Sequence, residues 1–317
     1  MKRTKISLVL ALLGLGFGLG VVGQTATTVF DIEPGVSMLG AGGAGISVAN
    51  GAETLYYNPA GLSNLPGISF SSFYASYLGV ANYSALALTF RNWGVATMLL
   101  NSGSIQGYDA TGGQTGALSF GNTGILFGVG LRPSDLPFLP DIGFDFSVGA
   151  RIKYVTISIG DSNGSGFAFD LGFRSGLPDM TFGGLRVSEI AFGVTAVNLF
   201  GAVTYEAESE DFRMDLKVGA SAKLLDALLV AFDLHLGGAA HIGLAYSPMP
   251  TFALRLGLIS AGELSFTAGV GVNVDGFLID YAFVSSAIGG THRVSLTLDF
   301  SALDLGALSR SLRRILP

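Results

Sequence analysis

The chain has little charge and no cysteine. Asp, Glu, Lys and Arg make up 13% of its 317 residues, against about 25% in soluble domains. Hydrophobic residues make up 49%, and the mean hydropathy is +0.55. This composition excludes a disordered chain and is unlike that of a soluble enzyme, which needs more surface charge. Without cysteine there is no disulfide, no thiolate metal site and no lipoprotein anchor.

Long hydrophobic runs are missing as well. Beyond residue 23 no apolar stretch reaches the ~20 residues that a spanning helix requires.

Residues 1–23 predict a secretory signal peptide, because a basic start precedes the apolar stretch 6–22; an uncleaved anchor helix is the alternative. Removing the signal takes away three basic and no acidic residues, so the formal net charge goes from −6 to −9. We do not expect an acidic chain without a basic patch to bind nucleic acid.

The dispersed apolar residues alternate with small or polar ones from about residue 68 onward. The pattern is clearest in residues 166–174, 212–219, 252–258, 264–274 and 293–300. A period of two places the two sets on opposite faces of a β-strand. One face is almost wholly apolar and the other carries glycine and charge, as in a membrane barrel with lipid outside and a polar lumen.

An open sheet would leave unpaired backbone groups in lipid, so the sheet must close. We therefore predict an all-β fold, a closed antiparallel transmembrane β-barrel of about 14 strands over residues 67–300 in the bacterial outer membrane. Twelve or sixteen strands are the alternatives. The expected strand starts lie near residues 68, 82, 93, 122, 142, 166, 188, 212, 228, 241, 251, 263, 277 and 291. Strand one is expected to begin at the periplasm, and the connections 133–141 and 176–188 are long for periplasmic turns.

Residues 24–66, before the barrel, do not alternate. Gly40, Gly42 and Gly45 formally match a dinucleotide fingerprint, but no strand precedes them and no βαβ unit surrounds them, so we expect no cofactor. Small residues instead favour a segment that lies close against the inner wall of a barrel, and Asn58-Pro59 predicts a fixed turn there.

The glycine-rich stretch, the following Tyr57–Leu62 motif and the final strand 291–300 resemble the outer-membrane long-chain fatty-acid and hydrocarbon transporter family. The chain looks most similar to that family's shorter relatives, the barrels associated with gliding-type secretion. The resemblance implies a fourteen-stranded barrel whose N-terminal hatch, here residues 24–66, plugs the lumen beside a hydrophobic ligand path. The candidate residues of this hatch and path are Gly42, Gly43, Asn58, Pro59, Ala60, Gly61 and Leu62.

An enzyme is not expected, because the chain has neither a Gly-x-Ser-x-Gly elbow nor a His-Glu-x-x-His motif and only three histidines. His235 and His241 are predicted to face the lumen near Asp233. A zinc site is conceivable there, but a polar rim is the better interpretation, and we predict no metal. Inward charges of mixed sign, such as Arg151, Lys153 and Asp170, are expected to form cross-strand pairs.

Residues 301–317 change to a helical period and predict a basic amphipathic tail, for the inner-leaflet interface or a periplasmic partner; a frayed, solvated tail is the alternative. The expected function is passive uptake of hydrophobic small molecules past the hatch, with outer-membrane lipid and the ligand as partners. The alternative is a secretion-associated barrel that shuttles or anchors exported protein cargo, with a periplasmic or secretion-system protein as partner. A plain porin is a third hypothesis, against which large inward apolar residues such as Met98 argue.

Overall fold

Alternating residues form the wall of a closed barrel in the computed structural model. The structure describes residues 25–26, 28–77, 81–108, 111–136, 144–160, 162–206, 208–287 and 289–302. The predicted signal peptide (1–23) lies outside these residues, as does the predicted tail beyond Ala302. No helix of the described part has the length and apolarity needed to cross a membrane.

Fourteen strands make up the wall. They are β1 (Ser69–Tyr77), β2 (Ala81–Phe90), β3 (Trp93–Ser102), β4 (Phe120–Leu131), β5 (Phe146–Ile159), β6 (Ser162–Leu177), β7 (Leu185–Thr204), β8 (Asp215–Leu224), β9 (Leu228–His235), β10 (Ala239–Met249), β11 (Phe252–Ala261), β12 (Glu263–Val274), β13 (Phe277–Ser286) and β14 (Gly289–Asp299). Each strand pairs antiparallel with the next, and β14 pairs with β1, for example Val294 with Tyr74. The sheet therefore closes, which confirms the predicted fold class and the count of fourteen.

The strand starts lie within four residues of the expected positions. The segment 176–188 differs from the expected long turn. Residues Met180–Phe182 pair with Leu185–Val187 across Gly183 and Gly184, whose φ angles are +56° and +89°. This is a two-residue hairpin that prolongs β6 and β7, since glycines at positive φ permit the tight turn.

The two faces of the wall have the predicted parity. On β11 and β12 the even-numbered side chains point outward, and Leu256 and Phe266 are each 60% exposed. The odd positions, among them Gly257 and Thr267, point into the lumen, where Thr267 is buried. The outer surface is thus the apolar face, as a barrel in a bilayer requires.

Residues 28–66, here called the lumen segment, lie inside the barrel. They contain two short helices, α1 (Val36–Gly40) and α2 (Thr54–Tyr57), and three 3-10 turns, Val29–Asp31, Gly51–Glu53 and Pro59–Asn64. Just before this segment, Thr25–Ala26 pairs in parallel with Asp211–Phe212, at the end of the barrel where β7 finishes. At its other end the segment joins β1, so it runs along the lumen from one mouth to the other. We call the mouth at the start of β1 the terminal mouth, and the other the far mouth.

Candidate functional site in the barrel lumen

Gly42 and Gly43 form the first contact between the lumen segment and the wall. The amide of Gly42 donates to Thr267 Oγ1 at 3.0 Å, and its carbonyl accepts from His241 Nδ1 at 2.7 Å. Both glycines have positive φ, +70° and +73°, a conformation that other residues rarely adopt. The wall opposite is also glycine, because a Cβ on Gly257 would overlap the backbone of Gly42. Backbone therefore lies directly on backbone at this point.

Asn58 forms the second contact. Its side chain is almost fully buried, at 2% exposure. Its Oδ1 accepts from the Ala60 amide at 3.1 Å and so caps the turn that follows. Its Nδ2 donates to the carbonyl of Ile46 at 2.9 Å and to the carbonyl of Phe173, on β6, at 3.0 Å. One side chain thus joins two parts of the lumen segment to the barrel wall.

Residues Pro59–Leu62 continue this contact along β4 to β6. Pro59, Ala60, Gly61 and Leu62 are all buried, and Ala60 and Leu62 have no exposed surface. Inward glycines again make room, since a Cβ added there would meet the turn: Gly128, Gly130, Gly149 and Gly172. All seven candidate residues lie in the lumen, but in two groups on different parts of the wall.

A buried charge cluster, formed by Arg151 and Lys153 on β5 and Asp170 on β6, makes a third contact. Arg151 donates to the Asp170 carboxylate, with Nε at 2.6 Å from Oδ2, and Lys153 Nζ lies 2.9 Å from Oδ1. Arg151 also donates to the carbonyls of Leu55 and Tyr56 in α2. The predicted cross-strand pairing is confirmed for these residues, whereas nothing in the sequence indicated that the cluster binds the lumen segment.

Asn198 completes the cluster, and its role has no sequence signal. It lies at a bulge in β7 with a φ of +56°. Its amide donates to Asp170 Oδ1 at 2.7 Å, and its Nδ2 donates to the carbonyl of Arg213 at 2.9 Å. The backbone pairing between β7 and the segment before β8 is interrupted at Asn198. It stops at the pair Val197–Asp215 and resumes at the pair Ala202–Asp211. The side chain of Asn198 therefore replaces backbone pairing across the interruption.

Glu53 holds the lumen segment together from within. Its carboxylate accepts from the Ser37 amide at 2.8 Å, from Ser37 Oγ at 2.7 Å and from the Met38 amide at 3.2 Å. Burial, followed by the negative charge of Asp280 on the wall, raises the pKa of Glu53 to about 7. The segment therefore carries a carboxyl group that changes charge near neutral pH.

His235 and His241 are buried against the lumen segment, not set on an exposed rim. Their rings stack with centroids 4.4 Å apart. His241 lies directly opposite Asp233 across the β9–β10 pair, whereas His235 lies opposite Ala239. The carbonyl of Gly42 accepts a hydrogen bond from His241. Among the described residues no group of three or more His, Asp or Glu side chains could hold a metal ion.

The space left in the lumen is small and uneven. Near the far mouth a cavity of about 450 Å³ is lined by charged groups that include Asp31, Glu33 and Lys217. Deeper, between Phe30 and Leu126, a cavity of about 30 Å³ has room for only a water molecule or two. The inner faces of β1 to β4 are apolar and pack directly on the lumen segment; the buried side chains there include Phe73, Tyr83, Met98, Leu126, Val29 and Leu55.

The sequence matches no protein-family model and no curated relative. Solved structures do share the fold. The toluene transporter TodX of Pseudomonas putida is 14% identical with a TM-score of 0.51, over 86% of this chain and 98% of that one. The toluene transporter TbuX of Ralstonia pickettii is 15% identical with a TM-score of 0.52, over 85% of this chain and 98% of that one. At such identities the likeness establishes the barrel architecture, of the kind found in outer-membrane channels.

Proposed function

We propose that this barrel takes up hydrophobic small molecules passively through the outer membrane, and that the lumen segment is the hatch they pass. The observation that carries the proposal is that the segment crosses the lumen from mouth to mouth and packs on an apolar wall formed by β1 to β4. A hydrophobic molecule that moves between the segment and this wall would replace the apolar contact between them by apolar contacts with itself. Such an exchange costs little because burial of apolar surface, at roughly 25 cal/mol per Å², is regained on the ligand.

The lumen segment is attached to the wall by hydrogen bonds that are spread along its length. Besides the contacts at Gly42, at Asn58 and at Arg151, Tyr83 donates to the carbonyl of Ile32 at 2.7 Å, and the amide of Ile46 donates to Asp233 at 2.9 Å. The wall strands pair through their own backbones, so displacement of part of the segment breaks some of these bonds and leaves the wall ladder intact.

The structures with the same fold support the ligand class. TodX and TbuX are toluene transporters, and a fatty-acid or hydrocarbon-like molecule suits the apolar lumen wall of this chain. Handling of exported protein cargo is the weaker candidate. A folded or extended protein has no room in a lumen filled by residues 28–66, so cargo would have to bind on the barrel's rims.

The test compares two asparagines of the lumen segment that both cap 3-10 turns. Asn58→Ala removes the contacts with Ile46 and Phe173, whereas Asn50→Ala removes only a local cap on Gly51 at the exposed side of the segment. We expect Asn58→Ala to leave a normal yield of folded barrel and to raise uptake of radiolabelled decane by cells that carry it in the outer membrane. Asn50→Ala should behave as wild type. Equal uptake with the wild type, with Asn58→Ala and with no barrel would contradict the proposal.

A further inference from the structure

Asn122 occupies an unusual place in the apolar side of the lumen. It lies on β4, points inward and is 1% exposed. The residues paired with it on the neighbouring strands are Leu100 on β3 and Ile157 on β5. The next inward pairs involve Met98 and Val155, which lie opposite Gly124. Cross-strand neighbours on one face lie about 4.5–5.5 Å apart, so the amide group has hydrocarbon side chains beside it on both neighbouring strands.

Neither Nδ2 nor Oδ1 of Asn122 has a hydrogen-bond partner among the described residues. Exchanging the two ends of the amide would not help, because both atoms are unpartnered. Buried polar groups are almost always hydrogen-bonded, and an exception in a native fold calls for an explanation. A buried water needs two to four polar partners, and these neighbours offer only Asn122. A hydroxyl carried on an alkyl chain suits the position better, since its oxygen and proton match the amide while its chain meets Leu100 and Ile157.

The start of the lumen segment controls access to this position. On β4 the next inward residue is Gly124, where a Cβ would lie 2.7 Å from Val29 and 2.6 Å from Phe30. The turn Val29–Asp31 therefore packs on the wall immediately beside Asn122, about 7 Å away along the strand. Displacement of this turn would expose an apolar surface with a single polar group in it.

Resting on the proposed function, we propose that Asn122 is a binding residue for ligands that combine an apolar body with one uncharged hydroxyl, such as a long-chain alcohol. An alkane fills the same surface but leaves the amide unpartnered. The chain would then select alcohols over the hydrocarbons of equal length.

The experiment measures binding of 1-decanol and of decane to the purified full chain in detergent by native mass spectrometry. The variants are Asn122→Leu, which keeps the size but removes the amide, and Asn122→Thr, which keeps a donor and an acceptor. Asn101→Leu is the matched control, because Asn101 lies on β3 beside this position but is exposed. The quantity compared is the ratio of the dissociation constants of 1-decanol and decane for each variant. Removing the hydroxyl from water costs the same free energy in every variant, so a change in this ratio reports the contact made by residue 122.

We expect Asn122→Leu to lower the preference for 1-decanol over decane by about five- to tenfold, the effect of one or two neutral hydrogen bonds. Asn122→Thr and Asn101→Leu should keep the preference. If the ratio is the same for wild type and for a folded Asn122→Leu, the inference is wrong while the proposed function stands. Should Asn122→Leu not fold, Asn122→Val replaces it, because valine has the shape of threonine without the hydroxyl: a lower ratio in Asn122→Val than in Asn122→Thr supports the inference, and equal ratios in the two variants overturn it. Wild type that binds neither compound overturns the proposed function, and the inference with it.

Discussion

Gly257→Ala tests the packing of the lumen segment most sharply, because the change adds one methyl group at a defined contact. That methyl would overlap the amide nitrogen and Cα of Gly42, and backbone cannot rotate away as a side chain can. Either the segment shifts or the wall does. Since β11 is held by ladders on both sides, we expect the segment to shift.

The size of the effect follows from the steric overlap and from the hydrogen bonds that break when the segment shifts. Overpacking costs about 1–3 kcal/mol, and the two hydrogen bonds of Gly42, to Thr267 and to His241, contribute about 1 kcal/mol each. Local opening at Gly42 should therefore become easier by about 3–5 kcal/mol. The exchange of amide hydrogens in residues 38–44 should accelerate by on the order of 100-fold or more.

Hydrogen exchange followed by mass spectrometry measures this directly in the folded barrel. The control is Gly176→Ala, where the nearest atoms lie 3.9 Å from the added methyl, and exchange in residues 38–44 should not change. Wild-type protection of residues 38–44 in Gly257→Ala would refute the reasoning, because it would mean that the segment does not lie on the wall at Gly257.

Three other changes probe the wall and the segment. Leu256→Arg places a charge on the outer face and should cost about 2–4 kcal/mol near the bilayer midplane; heat-modifiable migration equal to that of wild type would contradict the assigned parity. Asp170→Asn leaves Arg151 and Lys153 buried without their counter-charge. It should lower the free energy of unfolding, measured in guanidinium, by about 3–5 kcal/mol, and a decrease of less than about 1 kcal/mol would contradict this expectation. The pKa of Glu53, about 7, lies above its ordinary value of 4.5. Between these two pH values Glu53 keeps its proton in the folded segment and loses it when the segment opens. The stability of the folded segment therefore falls as the pH rises from 4.5 through 7. Hydrogen exchange of the segment, corrected for intrinsic rates, should be slower at pH 5 than at pH 8, and Glu53→Gln should reduce the difference.

Much of the wall was predictable because its physics is local and periodic. A period of two assigns each residue to lipid or lumen, so the parity around Leu256 and the closure of the sheet follow from the sequence alone. The hairpin at Gly183-Gly184 was missed for a related reason. Exposed residues such as Phe182 extend β6 and β7 beyond the strand ends that the period of two indicated.

The candidate site was predictable only in part. Small residues in the lumen segment and the turn at Asn58 pointed to close packing, but the partners of these residues lie more than a hundred positions away. A charge pair such as Arg151–Asp170 follows from inward parity. The bond from Arg151 to α2 does not, because a segment without a period gives no register against the wall. Asn198 and Asn122 carried no signal, since an inward asparagine is ordinary in a barrel until its neighbours are known.

The central claim is that residues 28–66 close the lumen, and conductance tests it most directly. Deleting residues 25–60 removes the hydrogen-bonded contacts that this stretch makes with the wall, at Gly42, at Asn58 and at Arg151 among others, together with the groups that pack on the inner glycines. The chain is inserted into planar bilayers after heat-modifiable migration has shown that it is folded. We predict a clear rise in single-channel conductance to small ions relative to the full chain. A folded deletion variant with unchanged conductance would contradict the account, because the lumen would then be closed by something other than this segment.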